Sequence, residues 1–307
     1  MNLRESELIK GIDLYRTMDL IENLMRVKSC SLVGLAKNTG KTVTLNYLLC
    51  HLPAGCRVGV TSIGLDGESR DQVVGTEKPE ITLRAGSVFA TTEKHYRERR
   101  LVAELMDVSD IPTALGRLVT ARTLIEGKVI IAGPGSTESL KRWMRTVEKE
   151  VDLILVDGAL SRMSLASPTV SEGMILATGA AYSANIDTLV RKTAYVVHLI
   201  NLPLWDGDET DCVSVSGAVT DRVLEKMLNG KQMQGKRLLI PDFTKVFADP
   251  MVWHRFEQQH PVVVRQRSRL LGVTVNPTAP NGMVLDSEIL CRRLSETIGL
   301  PAVDLMK

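Results

Sequence analysis

The apolar run Ser29-Cys30-Ser31-Leu32-Val33-Gly34 ends in Leu35-Ala36-Lys37-Asn38-Thr39-Gly40-Lys41-Thr42, and apolar residues then return at Val43, Leu45, Leu48 and Leu49. A strand must therefore turn sharply into a helix at a Gly-Lys-Thr triplet. That order confines the chain to an α/β architecture with a loop closed over an anion. Gly40 lets the backbone approach phosphate oxygens, and successive N–H groups from Lys37, Asn38, Thr39, Gly40, Lys41, Thr42 and Val43 complement their charge. The Lys41 ammonium reaches the β and γ phosphates, and the Thr42 hydroxyl ligates Mg²⁺. One feature departs from the common phosphate loop: Gly34 stands seven positions before Lys41, where the usual first glycine stands six before. Lys37 is open between a phosphate ligand and a solvated loop lysine.

The rest of the chain follows the same alternation. Residues 57–63 predict a second strand, 128–132 a third running into Gly133-Pro134-Gly135-Ser136, and 152–156 a fourth. Ser136 or Thr137 caps the helix that follows, and the glycine-rich turn before it is better explained as a tight connection than as a second anion site. Strands separated by helical patterns imply βαβ units and a mostly parallel central sheet flanked by helices. Further strand candidates are 174–177, 195–200, 212–215, 237–240, 262–264 and 271–275, with helices at 221–228 and 286–298. Residues 66–128 read as a β-rich insertion with strand pieces at 81–83, 88–90 and 118–121. Residues 1–28 predict an amphipathic helix carrying Leu8, Ile12, Tyr15, Met18, Ile21 and Met25 on one face. The expected organisation is that helix, one phosphate-loop domain over 29–307, and room for a C-terminal subdomain from about residue 205.

A bound triphosphate needs a carboxylate to hold Mg²⁺ or its water. Leu153-Ile154-Leu155-Val156-Asp157-Gly158 supplies one, Asp157, at the carboxyl end of a buried strand, where open α/β sheets bind ligands. Thr61-Ser62-Ile63-Gly64-Leu65-Asp66-Gly67-Glu68 supplies another at the next strand end. Asp66 is the candidate for metal binding or for orienting the attacking water, with Glu68 and Asp71 as alternatives and a plain Asp-Gly turn as the competing account. The predicted catalytic set is Lys41, Asp66 and Asp157, and the predicted metal set is Thr42, Asp66 and Asp157. Asn276-Pro277 closes a late strand with an amide suited to a purine edge, or with an ordinary Asn-Pro turn. No N-K-x-D element selects guanine, so ATP is the expected nucleotide, with GTP left open.

Composition narrows the alternatives. With 38 basic and 36 acidic residues and no long basic tract, nucleic acid is not an expected partner. No stretch is long and apolar enough to span a bilayer, and the charged residues within 1–28 argue against a signal peptide. Five cysteines without C-x-x-C spacing fit a reducing cytoplasm better than a disulfide framework or zinc site. No H-E-x-x-H or G-x-S-x-G element offers competing chemistry.

The loop spacing is similar to the G-x-x-x-x-x-G-K-T loop of dethiobiotin synthetase and its relatives. Taken together, residues 34–42, 61–68, 156–162 and 274–277 resemble one family, the ATP-binding reactivase subunit of lysine 5,6-aminomutase. The resemblance implies a P-loop NTPase that uses ATP and Mg²⁺ in a chaperone-like reactivation of an adenosylcobalamin-dependent aminomutase, driving release of damaged cobalamin. It implies lysine 5,6-aminomutase and a second reactivase subunit as partners, in the cytoplasm, and leaves homo-oligomerisation open. An ATP-dependent ligase or small-molecule kinase resembling dethiobiotin synthetase explains the loop spacing equally well, and a nucleotide-responsive binding module is a third reading.

Overall fold

The computed structural model describes residues 18–63, 80–113, 115–159, 170–207 and 210–305. The central sheet contains ten strands among the described residues. In chain order they are β1 (Ser29–Gly34), β2 (Val58–Ser62), β3 (Ile81–Leu83), β4 (Val88–Thr92), β5 (Arg100–Thr113), β6 (Gly116–Val129), β7 (Leu153–Ala159), β8 (Gly173–Gly179), β12 (Arg269–Asn276) and β13 (Ala302–Asp304). A second, three-stranded parallel sheet holds β9 (Cys212–Ser214), β10 (Arg237–Ile240) and β11 (Val262–Val264).

The main sheet runs β13-β12-β8-β1-β7-β2-β4-β6-β3, with β5 paired to β6. Every neighbouring pair from β13 through β4 is parallel, whereas β6 is antiparallel to β3, β4 and β5. The described strands of the β-rich insertion expected from the sequence thus extend the central sheet. β1 lies at the point where chain direction across the sheet changes: β2 and β4 lie on one side of it, β8, β12 and β13 on the other. Ligands in open α/β sheets bind at such a point, outside the carboxyl ends of the strands.

The helices are α1 (the part at residues 18–24), α2 (Lys41–His51), α3 (Glu93–Glu98), α4 (Thr137–Val147), α5 (Ile186–Ile200), α6 (Asp221–Leu228), α7 (Pro250–Glu257) and α8 (Ser287–Ile298). Side-chain alternation along the strands sorts them onto two faces. Leu32, Val60, Leu153 and Leu155 pack with Leu45 and Leu48 of α2 and Leu20 and Leu24 of α1. On the other face, Ile154 and Val156 pack with Leu140, Trp143, Met144 and Val147 of α4. Val33, Met174, Leu176, Val273 and Val275 pack there with α5 and α8, and the same apolar cluster continues into Leu238, Ile240, Val262 and Val264 of the second sheet.

Three expectations change. Residues 128–132 are not a separate strand: 128–129 end the long antiparallel strand β6, and the residues after them form the connection to α4. Residues 195–200 form the last turns of helix α5, whose Asn185 side chain accepts a hydrogen bond from Thr188 N at 2.9 Å. The β-branched run misled because its burial follows helical spacing: Leu189, Val190, Thr193, Val197 and Ile200 are buried. In α1 the buried positions are Leu20 and Leu24, with Ile21 partly buried, while Met18 and, just past the helix, Met25 are exposed, so the face toward the core is rotated from the expected stripe.

Candidate functional site

β1 carries the chain into the loop with Gly34 in register beside Ala159 of β7 and Ala177 of β8. Leu35 N donates to Ala177 O at 2.9 Å, which ties the start of the loop to β8. The Thr39 hydroxyl, almost fully buried, donates to Ala36 O at 3.0 Å and closes the loop on itself. Asn38 (φ 62°) and Gly40 (φ 89°) both adopt left-handed backbone. Asn is among the few non-glycine residues that tolerate this, and Gly40 enters helix α2 from it without steric cost.

Helix α2 begins at Lys41, and no side chain caps it. The first-turn N–H groups have no partner within the helix, and they carry the positive end of its dipole. The Lys41 side chain folds back across the loop: its Cγ and Cδ lie 3.0 Å from the position a Cβ on Gly34 would take. A lysine stem laid along the inner side of the loop, with an uncapped helix start behind it, is a cradle for a polyanion. Thr42 and Val43 follow in the first turn and are half-buried, while Lys37 is exposed.

The far wall comes from β12. Thr44 and Thr274 share a 2.9 Å hydroxyl contact that fixes the start of α2 to that strand. Asn276 Nδ2 donates to Asn38 O at 3.0 Å, and its Oδ1 accepts from Thr278 N at 3.0 Å. A Cβ on Gly40 would stand 3.1 Å from Asn276 Cβ, so glycine is needed for contact as well as for φ. The Asn276 side chain, a purine contact or an ordinary Asn-Pro turn by sequence, braces the loop and leaves one amide hydrogen for a further acceptor. Pro277 is buried behind it, its carbonyl accepting from Leu285 N at 2.9 Å.

Asp157 lies opposite Leu32 of β1 and Ser62 of β2. Because Leu153 and Leu155 of the same strand pack toward α2, alternation directs Asp157 to the α2 face, toward the side on which Lys41 and Thr42 begin their helix. Its Oδ1 is closed off from solvent. Asp66, with the alternatives Glu68 and Asp71, lies outside the described residues. The fold therefore brings Lys41, Thr42 and Asp157 to one edge and one face of the sheet, together with the loop and Asn276.

Gly133 contributes what the sequence did not signal. A Cβ there would run into Ser62 O and lie 2.6 Å from Thr61 Oγ1, so the connection leaving β6 presses backbone on backbone over the end of β2. Ser136 then caps α4, accepting from Ser139 N at 3.1 Å, in line with a tight connection. Among the described residues no three His, Cys, Asp or Glu side chains converge as a metal site. A Mg²⁺ ion held by one carboxylate, one hydroxyl and a ligand's phosphate oxygens needs no such cluster. No helix among the described residues is long and apolar enough to cross a membrane.

No family model and no curated protein matches the chain. Among solved structures, that of pNOB8 ParA bound to nonspecific DNA aligns with 88% of this chain and 99% of its own, at 12% identity and a TM-score of 0.29. A likeness of that size decides neither fold nor activity, and the site stands on its own geometry.

Proposed function

We propose that residues 34–42 form a P-loop that binds ATP with Mg²⁺, and that the protein is an ATPase. The observation that carries this reading is the Lys41 stem packed at 3.0 Å against the Gly34 position, at the uncapped start of α2. Lys41 and the N–H groups of the first turn bind the β and γ phosphates, Thr42 and Asp157 hold the cation, and Asn276 keeps the loop in its phosphate-binding shape. Bound Mg²⁺ supplies neutralisation of phosphate charge. Asp66 is the proposed residue for the attacking water, and Lys37 a further phosphate contact.

The finer reading rests on resemblance: ATP-dependent reactivation of lysine 5,6-aminomutase, acting with a second reactivase subunit to release damaged cobalamin. A γ phosphate held at the ends of β1, β2 and β7 gives such a protein a way to bias loops differently before and after hydrolysis. The test measures ATP hydrolysis by the protein alone, with inactivated aminomutase, and with aminomutase plus the second subunit, with Lys41→Ala as control. Partner-dependent hydrolysis with recovery of mutase activity is expected, and is lost in Lys41→Ala. A phosphorylated or ligated metabolite formed without any protein partner overturns reactivation in favour of the ligase or kinase reading.

A further inference from the structure

Beside the proposed cation ligand Asp157 sits a hydroxyl with no partner among the described residues. Ser62, the last residue of β2, is 5% exposed, and its Oγ is buried without a hydrogen-bond partner among the described residues. A buried hydroxyl left in that state costs free energy and calls for an explanation in water, ion or ligand. Its surroundings on the strand are otherwise well satisfied. Thr61 Oγ1 donates to Ser62 O at 3.2 Å, and Ile63 N donates to Asp157 O at 3.2 Å.

Register says where this hydroxyl points. Ser62 pairs directly with Asp157 across the parallel β2–β7 ladder. Paired residues on neighbouring strands share a sheet face, with backbones about 4.8 Å apart. That face is the α2 face, because Val58 and Val60 of β2 pack into the same apolar cluster as Leu45 and Leu48 of α2. The opposite face is excluded for Ser62: Gly59, one step out of phase, has its Cβ position 3.1 Å from Val147 of α4. The close approach of Gly133 pins the end of β2 from the side, so the Ser62 backbone has little freedom to turn its hydroxyl elsewhere. Ser62 and Asp157 therefore stand side by side on the face where α2 begins.

We propose that Ser62 is a second protein anchor, beside Asp157, for the divalent cation's water shell in the nucleotide site. This rests on the ATP–Mg²⁺ reading above. A serine hydroxyl both donates and accepts, so it can hold a metal-bound water while that water donates to the Asp157 carboxylate. It is a positioning residue, acting through water, and it adds no charge.

The test is Mn²⁺ titration, followed by electron paramagnetic resonance, of the full-length protein saturated with a non-hydrolysable ATP analogue. Binding of the analogue without metal is measured in parallel. Loss of one such hydrogen bond in Ser62→Ala is expected to weaken Mn²⁺ by roughly 2- to 12-fold. Metal-free analogue affinity stays unchanged, and Ser62→Thr, which keeps the hydroxyl, recovers Mn²⁺ affinity. Native Mn²⁺ affinity in Ser62→Ala overturns the proposal while leaving ATP binding intact. Equal weakening with and without metal also overturns it, because that is the mark of a purely structural serine. A wild-type protein that binds neither the analogue nor Mn²⁺ overturns the nucleotide reading itself, and the role of Ser62 with it.

Discussion

Replacing Gly34 by alanine tests the loop at its tightest point. The backbone there is not in the left-handed region, so the added methyl acts through space alone. It would stand 2.6 Å from Thr39 Oγ1 and 3.0 Å from Lys41 Cγ and Cδ, against an ordinary contact of roughly 3.5–4.0 Å. Two side chains must give way. Moving Thr39 forfeits its bond to Ala36 O, about 1 kcal/mol, and overpacking of this kind costs about 1–3 kcal/mol in all. On the proposed ATP reading, moving Lys41 takes a charged donor from the phosphates, about 1.5–3 kcal/mol, or roughly 10- to 150-fold in ATP affinity. Titration with a fluorescent ATP analogue, run beside urea unfolding, separates the two effects. Gly217→Ala is the control, since nothing lies within 4 Å of its Cβ position. Native ATP affinity in Gly34→Ala would refute the placement of Lys41 in the phosphate cradle.

Other perturbations reach the scaffold around the site. Gly133→Ala forces the connection after β6 off the end of β2, and is expected to destabilise by at least about 1–3 kcal/mol in urea unfolding. At the opposite edge, Asp152 receives Arg57 N, Nε and an Nη at 2.9, 3.2 and 2.7 Å, which depresses its pKa from 3.8 to about 2. A depressed carboxylate stabilises above its unfolded pKa, so the stability gap between wild type and Asp152→Asn should close as pH falls from 3.8 through about 2. His198, in the last turn of α5, has its pKa raised above 6.5 by its hydrogen bond to Glu257 of α7. The sign is the reverse: its contribution is full below 6.5 and fades as pH rises through the folded value, so His198→Gln should lose most stability in mildly acidic solution, by thermal melts across pH.

What the sequence determined by itself was local. The strand, loop and helix at residues 29–51 were legible because each rests on contacts or backbone needs within a few residues: an apolar run, glycine at a left-handed turn, and helical spacing. Helix 221–228 and strands 237–240 and 262–264 were readable for the same reason. The run at 195–200 was not, because its apolar residues, three of them β-branched, fit either period until the preceding turns of α5 fix one. Only the tertiary structure decided which strand ends meet. The bond from Asn276 to Asn38 and the contact between Thr44 and Thr274 join residues more than 200 positions apart. The placement of Ser62 beside Asp157, and of Gly133 against the end of β2, likewise follows from strand order. Strand order is set by how two apolar faces close over one sheet, and no short stretch of sequence carries that information. The triplet Gly40-Lys41-Thr42 marks the loop, and the sheet supplies the hydroxyl and carboxylate across from it.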